Sequence, residues 1–499
     1  MFNSPLKKAS LFLVIVLLYF LLGYLNYTRA LKISAFGFFA IGFFSSLQTL
    51  YKNRLTNFLL ITVALLAFSN LLFHSILRDI FGVAQDDLIV IQAIMDTDSS
   101  ETKEFFLQYY SYLIKHIILI IVVGYSYIRY ILFAPSNSSK KSLYIFGVLL
   151  VLLHLNPTMR HTNPINYVYH YYNEYKWQIS QTNKLNSLVS QNLKNSKFHP
   201  KYIGKEKKNT IVWIIGESET KYNWSLYGYK RDTNKYLEKI KDKLKIFHNI
   251  TASAPATVPA FKLMLTDANK SNPSSWINYP NIVLLAKMAG YKTYWISNHT
   301  SDSRGAINIF AKSADKLVLT NKGRSRGEGS YDEVILPHLK SALNDNSDKK
   351  FIIIHMLEAH PAYDYRYPKK FSIFTYNFSD SVIKNLLKEG RSKFALVFRN
   401  QYDNAVLYSD YNKYNFIEAI KHSKDANVTT VVYHPDHGED VCHNTNFSGH
   451  NFKAIQQWQI PMFAWGRYKD KVAQNIKNSF CLDNINRVIL NILSVKVDK

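Results

Sequence analysis

The chain has 499 residues, with 61 Lys and Arg against 36 Asp and Glu, and only two cysteines. That length exceeds one average domain, and Cys442 and Cys481 fit no zinc-ribbon spacing. The formal net charge of +25 suits anionic lipid headgroups or a phosphorylated glycolipid, or reflects a general bias toward Lys, Asn, Ile and Tyr.

Apolar runs of membrane length recur before residue 158 and predict a transmembrane domain over 1–157. Its five spans fall at about 10–28, 32–50, 56–77, 112–133 and 142–156. The first is not a cleaved signal peptide, because no small-residue cleavage site follows it and further spans do. Pro157 closes the fifth early. Basic residues mark one side: Lys7 and Lys8 before the first span, Lys52 and Arg54 after the second, Lys140 and Lys141 before the fifth. The segment between the third and fourth is acidic, with Asp86, Asp87, Asp96, Asp98, Glu101 and Glu104. Arg29, Lys32 and Arg78 run against the bias. The positive-inside rule still places the N-terminus in the cytoplasm and everything after the fifth span outside it. Nucleic acid is then a poor partner for the basic outer domain.

Residues 158–205 form a connector rich in Tyr167, Tyr169, Tyr171, Tyr172, Tyr175 and Trp177. It reads as a segment lying along the membrane interface or as an ordinary linker helix. From 206 to 499 the pattern is α/β. Strands are predicted at 210–215, 292–296, 351–355, 429–433 and 462–465, and helices at 234–244, 281–289 and 411–422. Such alternation predicts a largely parallel sheet covered on both faces.

Two of these strands end in metal-ligand chemistry: Ile211-Val-Trp-Ile-Ile-Gly-Glu-Ser218 and Tyr433-His-Pro-Asp-His-Gly-Glu439. In an open parallel sheet, ligands gather at the carboxyl ends of the strands. Glu217, Asp436 and His437 would meet there as a carboxylate and imidazole set suited to zinc or manganese. His434, Glu439 and His443 lie close by in sequence without an assigned role. An oxidising compartment permits Cys442 and Cys481 to pair and so brace the metal loop.

The residues also carry a family resemblance. Ile214-Ile-Gly-Glu-Ser-Glu219 and Leu226-Tyr-Gly-Tyr-Lys-Arg-Asp-Thr-Asn234 resemble the opening of the catalytic domain of bacterial phosphoethanolamine transferases, in the alkaline phosphatase/sulfatase superfamily. Matches continue in order: Ala289-Gly-Tyr-Lys-Thr-Tyr-Trp-Ile-Ser-Asn298, His355-Met-Leu-Glu-Ala-His360 through Pro368, Tyr402-Asp-Asn-Ala-Val-Leu-Tyr-Ser-Asp410, and Pro435-Asp-His-Gly-Glu439. Upstream, Ile94-Met-Asp-Thr-Asp-Ser-Ser-Glu101 resembles the outer loop of the family's five-span part.

The resemblance implies a periplasmic, sulfatase-like catalytic domain on a multi-pass inner-membrane anchor. It implies a threonine nucleophile within 251–260, with Thr257 ahead of Thr251 and Ser253. Thr257, after Ala254-Pro-Ala256, resembles the Pro-aromatic-Thr form of relatives that modify core sugars or glucans, and it lacks the flanking cysteines of the polymyxin-resistance members. Thr257 would complete the shell of a divalent ion, most simply Zn2+ with Mn2+ as the alternative, held by Glu217, Asp436 and His437. Such an ion makes a neutral hydroxyl a competent nucleophile. His360 and His450 match positions for a general acid or a second zinc, and Asn298 and Arg304 loosely match the phosphate-contact region. The implied reaction moves phosphoethanolamine from phosphatidylethanolamine to lipopolysaccharide core sugar or lipid A, through a covalent threonine intermediate. A glycerol-phosphate transferase of the same superfamily and a catalytically silent glycolipid-binding protein are the alternatives.

Overall fold

The computed structural model describes residues 4–81, 99–134, 137–191, 198–300, 306–321, 331–476 and 478–498. They form two compact units: residues 1–91 with 109–176, and residues 92–108 with 177–499.

The first unit is helical: α1 (Ser4–Leu21), α2 (Tyr27–Tyr51), α3 (Arg54–Phe81), the part from Tyr109 onward of α4 (Ser99–Phe133), and α5 (Lys140–Leu155). Its buried core includes Phe12, Ile33, Phe36, Leu60, Phe68 and Tyr127. Phe12 stands against Gly37, where any Cβ would collide with its ring. Leu17, Leu18, Phe58, Ile121 and Val151 instead point outward, an inversion of globular surfaces that suits lipid. Among the described residues four helices are long and apolar enough to cross a membrane: Ser4–Leu21, Tyr27–Tyr51, Arg54–Ile80 and Tyr112–Phe133. The expected fifth span is present as α5 but has only 16 residues. At 1.5 Å per residue that is about 24 Å, short of a hydrocarbon core of about 30 Å. Its limits are local: Ser139 caps the start, accepting the Ser142 N–H, and Asn156 precedes Pro157 at the end. The acidic run through Asp98 and the start of the Ile94 motif lie outside the described residues.

Most of the 158–205 segment is a helix, α6 (Pro164–Gln191). Strand His199–Tyr202 then pairs with Val495–Asp498, so sheet pairing starts before residue 206.

The second unit is built on an eight-stranded sheet. In chain order its strands are β1 (Asn209–Gly216), β2 (Lys245–Thr251), β3 (Lys292–Thr300), β4 (Lys316–Asn321), β5 (Lys349–His355), β6 (Thr429–Pro435), β7 (Gln459–Gly466) and β8 (Phe480–Cys481). The spatial order is β8-β2-β7-β6-β1-β5-β3-β4. Pairing is parallel from β6 through β1, β5 and β3 to β4, and β7 runs antiparallel to both neighbours. β1 and β6 are buried along their whole length, as strands covered on both faces must be. One cover contains Phe261, Trp276 and Ile489, the other Trp224, Leu339 and Tyr408.

All five predicted strands form. The predicted helix at 411–422 is the end of α8 (Lys393–Lys421), once α7 is given to Thr257–Leu265. The segment predicted helical at 234–244 is a 3-10 stretch, Leu237–Lys243, broken at Ile240. There Asp410 draws the backbone away from a helix by accepting the N–H groups of Tyr236 and Leu237.

Candidate active site

The parallel topology brings the carboxyl ends of β1 and β6 together. Gly216 pairs with Pro435, so Glu217 and Asp436 leave adjacent strand ends. Gly216 has to be glycine, because a Cβ there would fall on the Glu358 carboxylate. Ser218, in the left-handed region at φ 60°, turns the chain back. Its N–H donates to Asp436 Oδ1 at 3.3 Å and its hydroxyl to Glu217 Oε1 at 2.7 Å.

Thr257 is the first residue of α7. Its hydroxyl lies 3.2 Å from Glu217 Oε2 and 3.3 Å from His437 Nε2. His437 Nδ1 sits 2.8 Å from the Gly438 carbonyl, which fixes the proton on Nδ1 and aims the Nε2 lone pair inward. That Nε2 is 3.4 Å from Glu217 Oε1 and 3.5 Å from Asp436 Oδ2. The structure thus brings Glu217, Thr257, Asp436 and His437 together. It separates the rival hydroxyls: Ser253 donates to the Ala260 carbonyl, and Thr251 ends β2.

The donor set fits a divalent cation. Donor atoms of Glu217, Asp436 and His437 all lie within 4.8 Å of one another. Asp436 Oδ1 accepts two N–H groups, yet Oδ2 is buried without a hydrogen-bond partner. Burial, and then the charge of Asp436, push the Glu217 carboxyl well above its usual range. Two buried carboxylates and a neutral imidazole facing one point are what a cation would satisfy.

His450 and His360 border this cluster. The His450 ring packs 4.7 Å from that of His437, and its Nδ1 is 2.7 Å from Glu439 Oε2. Burial opposes charge on His450, but Glu439 outweighs it and raises its pKa. The His360 Nδ1 is buried without a partner, and burial, then Arg366, hold that imidazole well below its usual pKa. Asn298 is buried, and its amide donates to Asp332 and accepts from Thr320. Arg304 lies outside the described residues. Of the residues left without a role, Glu439 pairs with His450 and the other two make structural contacts. His434 accepts the Trp213 N–H at 2.9 Å, and His443 ties Asp440 to Asn223. Cys442 and Cys481 are both free and form no bridge. Cys442 faces the Asn446 carbonyl and Cys481 that of Ala252.

Beneath the cluster lies a set that sequence reasoning missed. Lys413 on α8 donates to Glu219 at 3.1 Å and Glu358 at 3.0 Å, and all three side chains are buried. Its Nζ also lies 4.3 Å from the centre of the Tyr433 ring, whose hydroxyl reaches both carboxylates. Glu358 Oε2 in turn accepts the Glu217 N–H at 2.9 Å, so the triad holds the backbone that presents Glu217. Burial and then Glu358 raise the Glu219 pKa to about 7. Lys413 stays charged because the two glutamates outweigh the cost of burying it.

The fold and the site define a sulfatase-like enzyme, and residues 209–487 match the sulfatase family. Phosphoethanolamine transferase EptC of Escherichia coli K12 is 30% identical over 415 residues, covering 75% of this chain and 68% of its own. Phosphoethanolamine transferase CptA of Salmonella typhimurium LT2 is 29% identical over 423 residues, covering 77% and 70%. The C-terminal periplasmic domain of E. coli EptC, solved in complex with Zn, gives a TM-score of 0.56 at 29% identity, over 60% of this chain and 86% of that one. The integral membrane lipooligosaccharide phosphoethanolamine transferase A of Neisseria meningitidis gives 0.62 over 99% and 94%. At 18% identity that likeness speaks to the fold alone. The chain belongs to the phosphoethanolamine transferase family of sulfatase-like enzymes.

Proposed function

We propose that this enzyme transfers phosphoethanolamine from phosphatidylethanolamine to an envelope glycolipid, lipopolysaccharide core sugar or lipid A. The observation that carries the reading is the meeting of the Thr257 hydroxyl with Glu217, Asp436 and His437 at the ends of β1 and β6. Glu217, Asp436, His437 and Thr257 would hold one Zn2+. Bound there, the ion would lower the pKa of the hydroxyl and neutralise phosphoryl oxygens.

Thr257 Oγ attacks the headgroup phosphorus and the bond to the diacylglycerol oxygen breaks. The threonine proton passes to solvent, because Glu217, as a ligand, has no oxygen free to take it. The departing oxygen takes a proton from His450, whose pKa Glu439 raises against the effect of burial. An acceptor hydroxyl, giving its proton back to His450, or an acceptor phosphate then displaces phosphoethanolamine from the threonine oxygen. The N-terminus of α7, with its unpaired N–H groups, favours the phosphate charge beside Thr257. The N-terminal helices would tether the catalytic unit to the membrane that holds the donor lipid. Basic ends at Lys7, Lys52 and Lys140 put the N-terminus inside and the catalytic unit in the periplasm, with α5 as the fifth crossing.

The test uses full-length protein in detergent with headgroup-labelled phosphatidylethanolamine and purified lipopolysaccharide. Label should move to the glycolipid and leave diacylglycerol. Transfer from labelled phosphatidylglycerol instead would make it a glycerol-phosphate transferase.

A further inference from the structure

Donor groups stand at the ends of four adjacent parallel strands. His299 lies near the end of β3, His355 closes β5, Glu217 follows β1, and Asp436 and His437 follow β6. Glu217 occupies the middle of this row and faces both ways. Its Oε1 is 3.4 Å from His437 Nε2 on one side, and its Oε2 is 3.9 Å from His299 Nε2 on the other. The proposed reaction uses only the first side.

On the second side, one donor atom from each of Glu217, His299 and His355 lies within 4.8 Å of the other two. A further observation points to a ligand. His355 is fully buried and its Nδ1 meets the Ser297 hydroxyl at 3.3 Å, while its Nε2 has no hydrogen-bond partner. A buried ring nitrogen without a partner is costly unless something else takes its lone pair. His299 stacks on His355 with centroids 3.8 Å apart and planes within 5°, which holds the two rings together at the ends of the paired strands β3 and β5.

We propose that Glu217, His299 and His355 form a second divalent-metal site, bridged through Glu217 to the site at Asp436 and His437. Two imidazoles and one carboxylate suit zinc and leave a position open. Ser297 orients His355 as an outer partner orients a ligating imidazole. His299 Nε2 also lies 2.8 Å from the Met356 carbonyl, a competing use of that nitrogen, so ligation through it requires the ring's other tautomer. The inference rests on the first centre only through the shared Glu217.

Zinc counting on the full-length protein in detergent tests it, after chelator stripping, reloading with Zn2+ and removal of free ion. His299→Asn, confirmed folded by circular dichroism, should bind one equivalent less than wild type. Asp436→Asn should lose a different equivalent, and the double variant both. Reloading with Co2+ gives a second readout: His299→Asn should remove visible absorption that Asp436→Asn retains. His355→Asn should match His299→Asn where it folds. Wild-type zinc content in His299→Asn overturns the second site and leaves the first untouched. So does a double variant that loses no more than Asp436→Asn alone. Loss in His299→Asn with none in Asp436→Asn supports the second site and removes the first.

Discussion

Thr257 is half-buried at a helix start, and its hydroxyl bonds only to groups of the cluster. Removing it should therefore cost chemistry and little structure. Thr257→Ala should abolish label transfer with a melting temperature close to wild type, and Thr257→Ser should keep part of the transfer, since it keeps the attacking oxygen. Lys413 is the opposite case. Lys413→Met leaves Glu219 and Glu358 buried without their cation and should destabilise the catalytic unit by about 3–5 kcal/mol, read as a lower melting temperature. Asp410 adds a pH dependence. Burial raises its pKa to about 7 against the hydrogen bonds it accepts. An acid raised on folding stabilises the protein at low pH, and that contribution is lost as pH climbs from about 4 through 7. Asp410→Asn should flatten the melting temperature across that window, whatever its effect on the mean. At this scale Glu217, Asp436 and His437 were legible because each follows the end of a predicted strand, whereas Thr257 came only through the family resemblance. Lys413 was not: in sequence it is one more lysine of a helix, and its partners Glu219 and Glu358 lie far away in the chain.

The strands were legible because β-branched and aromatic residues run unbroken through positions such as Ile211–Ile215 and Phe351–Ile354, buried on both faces. Two other elements were not. The first half of α8 carries buried Arg399, Asn400, Asp403 and Asn404, so its inward face reads as polar, although Asp403 holds Arg231 and Tyr229 there. The 3-10 stretch after Asn234 was hidden because the Asp410 that shapes it comes from another helix. The turn after β1 yields a sharp prediction. Gly216→Ala pushes a methyl group into the Glu358 carboxylate that holds the Glu217 N–H. Zinc content and transfer should both fall, even though the change adds only one carbon.

The division into an apolar helical part and an α/β part was legible from hydropathy alone, down to the weak fifth run that forms the 16-residue α5. The proposed topology makes a direct prediction: an export-dependent reporter fused after Lys205 should be active, and a cytoplasmic signal there would mean that α5 does not cross. What unites membrane part and catalytic part is the claim that a lipid donor phosphorylates Thr257 with its headgroup. The most direct test incubates full-length protein with vesicles of headgroup-labelled phosphatidylethanolamine and no acceptor, followed by acid quench, digestion and mass spectrometry. The mechanism requires a phosphoethanolamine adduct on the peptide containing Thr257, absent from Thr257→Ala and discharged when lipopolysaccharide is added before the quench. An adduct on Ser253 or Thr251, or label transfer that persists in Thr257→Ala, would contradict it.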